Sequence, residues 1–160
     1  MVAVPVRLLL TKLRLRLEDM QRTKFSDYEL LSALSDAWSM LGIALAETFS
    51  TLPRKTVEVI LVGGTAPLPD DFYSLYSLVE LGDGSTSETA RLEYNCVPPP
   101  ITDSAAEIDF PTSLVLDLVE VASAVVSGNM TAATETAKST AARVSQKREY
   151  GKIPDIRHFP

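Results

Sequence analysis

The sequence predicts a mostly α fold with a small antiparallel β insertion. In this reading about four helices form a bundle, a β-hairpin or short sheet is inserted at about residues 56–95, and an extended tail occupies 151–160. Three observations carry that prediction. Apolar residues recur at three- and four-residue spacing in four separate stretches. A run of β-branched residues ends at Gly63-Gly64, and the last ten residues hold two prolines and no helical stripe. With 160 residues, 46% of them hydrophobic and 22% charged, the chain is long enough to bury about two thirds of its unfolded surface, so residues 1–150 read as one domain.

In the first stretch Val6, Leu10, Leu13, Leu17 and Met20 share one helical face. Leu13 to Leu17 also alternates like a strand, but the helical spacing persists for longer. The second stretch opens with Ser26-Asp27-Tyr28-Glu29, a capping box in which serine and glutamate satisfy each other's backbone amides, and Phe25 can staple onto Leu30. Leu30, Leu34, Ala37, Trp38, Leu41 and Leu45 then form a stripe to about Glu47, and Pro53 prevents further helix. Trp38 sits inside that stripe, which makes it a packing residue.

Thr56 to Val62 reads as a strand, with Ala66-Pro67-Leu68 returning beside it across the glycine pair. Pro69 is placed to begin a short helix, with Asp70 and Asp71 at its positive end and Phe72, Leu75 and Tyr76 on one face. Ser77 to Leu81 and Arg91 to Asn95 read as strands, joined by the Gly82-Asp83-Gly84 turn and a mobile polar tip over 85–89. Pro98-Pro99-Pro100 opens a loop through about Phe110, because successive residues without amide donors cannot continue a ladder. After Pro111, Leu114/Leu118, Val115/Val119, Val121/Val125 and Ala122/Val126 predict a buried helix that Gly128-Asn129 closes. Met130, Ala133, Ala137, Ala141 and Val144 mark the inner stripe of a final helix, whose small side chains admit a close neighbour.

Cys96 is the single cysteine and His158 the single histidine, which excludes disulfide frameworks, Cys/His zinc sites, Ser-His-Asp triads and Cys-His dyads. Asp70-Asp71 is the densest acidic pair, and adjacent acids at a helix start serve backbone amides sooner than a metal. The glycine pairs match neither phosphate-binding pattern. Cys96 reads as a small apolar filler. No catalytic, cofactor-binding or metal-binding residue is predicted. No apolar run approaches the roughly 20 residues of a membrane span, so the expectation is an aqueous, reducing compartment and no membrane partner.

The net charge of −6 is unevenly spread. Residues 1–24 hold six basic side chains (Arg7, Lys12, Arg14, Arg16, Arg22, Lys24) against two acidic ones, a balance of +4. Residues 138–160 also stand at +4, from six basic against two acidic, while 25–137 hold three basic and 17 acidic residues, or −14. The basic N-terminal helix permits one reading as a small nucleic-acid-binding or regulatory module, although aromatic interleaving is lacking. The tail, with Lys152, Ile153, Pro154, Ile156, Arg157, His158 and Phe159, sets apolar anchors among basic residues and suits docking onto an acidic protein.

Three local patterns give the chain a resemblance. Lys24-Phe25-Ser26-Asp27-Tyr28-Glu29-Leu30-Leu31 followed by Leu34-Ser35-Asp36-Ala37 is similar to the capped opening "x-[FW]-S-D-x-E-L-L-x-x-L-N-D-A", with Ser35 where asparagine is usual. Leu68-Pro69-Asp70-Asp71-Phe72-Tyr73-Ser74-Leu75 is similar to "L-P-x-D-F-x-x-L", and Ser127-Gly128-Asn129 followed by Ala132-Ala133 is similar to a joint between two last helices. These patterns and their order resemble the adaptor, or head-to-tail connector, proteins of tailed bacteriophages. The final helix departs from that family in carrying Ala and Thr where aromatic residues are common, and residues 82–110 have no counterpart. The resemblance implies a structural virion protein at the neck, made in the host cytoplasm. It implies a homo-oligomeric ring, usually a dodecamer, under the portal protein, with tail or nozzle proteins below and DNA passing through without sequence-specific binding. It also implies no enzymatic activity and no cofactor, and gives the C-terminal segment the role of inserting against the portal.

Overall fold

The structure, a computed structural model, describes residues 2–48, 54–81 and 88–150. Its elements are β1 (Val2–Pro5), α1 (Val6–Arg16), α2 (Asp27–Glu47), β2 (Arg54–Leu61), β3 (Phe72–Glu80), β4 (Glu88–Cys96), β5 (Glu107–Phe110), α3 (Val115–Val126) and α4 (Met130–Tyr150). Four helices and two small antiparallel sheets make up the described residues, as the fold class predicts.

The bundle core follows the predicted stripes except at the methionines that end two of them, Met20 and Met130, which are exposed. Val6, Leu10 and Leu13 of α1, Leu30, Leu34, Ala37, Trp38, Leu41 and Leu45 of α2, Leu118, Val121 and Ala122 of α3, and Ala133, Ala137 and Ala141 of α4 are buried in one continuous cluster. Trp38 meets Phe110 edge-on, ring centres 4.8 Å apart. By length and mean hydropathy (1.2) α2 is apolar enough to cross a membrane, a property the sequence reading did not expect of any segment. Its fully buried leucines face the other helices.

Helix ends obey their local chemistry. At α2 the Ser26 hydroxyl accepts from the Glu29 amide at 3.2 Å and the Glu29 carboxylate accepts from the Ser26 amide at 2.8 Å, completing the capping box. The α3/α4 joint is a Schellman turn. Gly128 has φ +70, Asn129 donates its amide to the Ala124 carbonyl, and the Asn129 side chain then caps α4 by accepting from Ala132.

Four expectations are corrected. Helix α1 stops at Arg16, and Met20 is exposed. Glu18 takes φ +53 and the Asp19 amide donates to the Arg14 carbonyl, so a Schellman turn ends the helix without a glycine. Ala66 to Leu68 forms no strand; only a Val62/Thr65 bridge closes the Gly63-Gly64 turn, whose positive φ values of 61 and 78 are those the glycine pair permits. Residues 69–76 are not a helix, because Pro69 and Asp70 turn the chain into β3. Within the 98–110 loop, Glu107–Phe110 is a strand paired with β1, Val2 opposite Phe110.

The larger sheet runs β2-β4-β3, with β4 in the centre. Two bulges interrupt β3, between Phe72 and Ser74 and between Leu75 and Ser77. It meets the bundle near Gly42, where an added Cβ would lie 2.4 Å from Cγ of Pro98. The glycine is required there because the proline ring occupies the side-chain position. Nearby, the Ile101 amide donates to the Ser35 hydroxyl at 3.1 Å and ties this loop to α2.

Candidate docking surfaces

The basic N-terminal end is partly an internal structure. Arg14 is 5% exposed, and its guanidinium donates to Asp19 Oδ2 and Asp27 Oδ1, both at 2.6 Å, and to the Phe25 carbonyl. Asp19, 1% exposed, also accepts from the amides of Thr23, Lys24 and Phe25. These amides, that of Lys24 foremost, hold the Asp19 carboxyl below its ordinary range. Asp27 is lowered chiefly by its bond to Arg14, and Glu29 by its bonds to Ser26. One buried cation thus fastens the end of α1 to the cap of α2. Arg16 pairs with Glu120 of α3 at 2.7 Å. Arg22 lies 3.8 Å from Asp27, so three of the six N-terminal cations are engaged within the fold, which sequence counting alone could not reveal.

The acidic pair at 70–71 does not serve a helix. Asp71 accepts from the Tyr94 hydroxyl at 2.9 Å and pairs with Lys55, while Asp70 is exposed. The Lys55 bond lowers Asp71, and Asp71 raises Lys55. Burial raises the Cys96 thiol, consistent with the apolar filler expected there. Among the described residues no group of three or more His, Cys, Asp or Glu side chains is arranged to hold a metal ion.

The most unusual surface is the larger sheet. Of the 15 large hydrophobic residues exposed among the described residues, nine lie between Ile60 and Leu81. Cross-strand register places Lys55, Tyr94 and Leu75 in one row, Val57, Leu92 and Leu78 in the next, and Val59, Ala90 and Glu80 in a third, all on one face. The opposite face carries Arg54, Glu58, Glu93 and Arg91 together with the exposed Ile60 and Val79. Leu92, Tyr94 and Cys96 form a small core of their own with Val57, Val59 and Phe72, separate from the bundle core. Leu75 and Leu78 remain 57% and 47% exposed.

The predicted docking tail, Lys152, Ile153, Pro154, Ile156, Arg157, His158 and Phe159, lies outside the described residues, as does the turn at Gly82-Asp83-Gly84. Compared with known family models and with curated proteins, the chain matches none.

Proposed function

We propose that the chain is a structural adaptor of a tailed-phage virion, assembling as a ring beneath the portal and joining the head to the tail. The observation that carries this reading is the concentration of exposed apolar side chains on the larger sheet. Soluble monomers seldom expose such patches, and a protein partner is the ordinary reason for one. The resemblance specifies the kind of assembly. Its first pattern falls on the cap of α2, its second on the turn into β3 and its third on the α3/α4 joint, all corners that set the path of the chain.

In a ring, a short docking tail on every copy binds with large avidity from a small contact per copy. The acidic middle suits a channel for DNA, because like charge keeps phosphate from adhering. Asp36, Glu47, Glu58, Asp103, Glu107, Asp109 and Glu135 are exposed and available for that purpose. The nucleic-acid-binding alternative is weakened because Arg14 is buried and Arg16 is paired.

Deleting residues 151–160 tests the docking role. The truncated chain is expected to stay folded by circular dichroism and to lose co-sedimentation with portal-bearing heads. Undiminished co-sedimentation would overturn the reading of the tail.

A further inference from the structure

Two surfaces of this chain expose large apolar side chains. On the edge strand β3 the exposed Leu75, Leu78 and Glu80 share one face and form a ridge of side chains along the strand. Between α1 and α3 lies an open groove of about 490 Å³, lined by Leu15, Leu116 and Val119 with Lys12, Arg16 and Glu120. Leu15 and Leu116 there are 66% and 71% exposed, two large apolar side chains set among the charged ones.

Charge makes the two surfaces complementary. Arg16 and Glu120 neutralise each other, leaving Lys12 and Glu18, which also line the groove, without an ion-pair partner among the described residues. Glu80 is the single charge of β3 and is likewise unpaired among the described residues. Attraction to Lys12 and repulsion from Glu18 give the ridge one preferred polarity in the groove.

The two surfaces cannot satisfy each other within one copy. The groove lies at the end of the bundle where Arg14 meets Asp27, whereas the sheet joins the bundle at Gly42 and Pro98. Those points are 15 residues apart along α2, about 22 Å at 1.5 Å per residue. We infer that the β3 ridge of one copy seats in the α1/α3 groove of the next. Such a contact uses two different patches, so it propagates from copy to copy and makes a ring when the rotation closes. The inference rests on the self-assembling part of the adaptor reading and names the surfaces that perform it.

Sedimentation velocity on the full chain tests it, with circular dichroism to check that each variant folds. The wild-type chain is expected to associate beyond a dimer, and Leu78→Glu and Leu116→Glu, each at an exposed position, are expected to be monomers. An equimolar mixture of the two variants should form a species of two chains. One copy then retains an intact groove, the other an intact ridge, and the single contact cannot propagate. Lys12→Glu should weaken association by on the order of tenfold, and adding Glu80→Lys should restore it. A monomeric wild type, a single variant that assembles normally, or a mixture that stays monomeric would each overturn the inference. Rings that survive both substitutions and still bind the portal would leave the adaptor reading standing. Copies that assemble through ridge and groove but ignore the portal would spare the inference and remove that reading.

Discussion

In the bundle, Leu30, Leu34, Leu41 and Leu45 of α2 are wholly enclosed by the other helices, whereas Leu75, Leu78 and Val79 of β3 stay exposed on a sheet that has only its own small core. Both segments are rich in large apolar residues. The difference lies in what their neighbours supply. Helix α2 meets apolar stripes from α3 and α4, so its burial drives folding. Among the described residues strand β3 pairs with β4 on one side and with no strand on the other, so its apolar side chains contribute little to the stability of a single chain. The bundle therefore holds most of the buried apolar surface, and the sheet is the part that the proposed assembly would use for contact.

Substitutions in the two regions should separate on that basis. The largest loss is expected for Leu41→Ala, about 3 kcal/mol, or a melting temperature lower by roughly 6–12 °C in calorimetry. Arg14→Met should cost a comparable amount, because it strands the enclosed Asp19 carboxylate without its cation. Gly42→Ala should cost about 2 kcal/mol, since the new methyl group meets the Pro98 ring and the loop must move. Ser26→Ala should cost about 1 kcal/mol through loss of the α2 cap. Leu78→Ala, in the sheet, should change stability by less than about 0.5 kcal/mol while impairing association. A large stability loss from Leu78→Ala would break the comparison, because it would make the sheet part of the folding unit.

Acid should act on the same joint between α1 and α2. Asp19, Asp27 and Glu29 have lowered values in the folded chain, so the unfolded chain binds more protons as pH falls. Their stabilisation is fully present above the ordinary carboxylate range near pH 4, and is lost as pH falls from there through the lowered folded values. The urea midpoint should accordingly drop between about pH 5 and pH 3, and a midpoint flat across that window would contradict the role given to the joint.

The bundle was legible in the sequence because its signals are local. A capping box, a terminal glycine and a three-and-four stripe each act within a few residues, and the structure has all three where the sequence places them. The sheet was harder to read for an identifiable reason. The bulges at Phe72/Ser74 and Leu75/Ser77 each add a residue to β3, so Phe72, Leu75 and Leu78 share one face at a spacing of three. That spacing imitates a helix, and Pro69-Asp70-Asp71 just before it imitates a helix start. The β1/β5 pair escaped because four-residue strands more than 100 positions apart carry no local signal. The buried Arg14 was invisible for a related reason. Counting charges does not show that Asp19 and Asp27 converge on one guanidinium across a turn.

The ring and its seat on the portal remain the central claim, and electron microscopy of the full chain mixed with its purified portal, alongside native mass measurement, tests it most directly. The account predicts a closed ring of copies seated coaxially on the portal. A chain that stays monomeric and adds no density to the portal would contradict it.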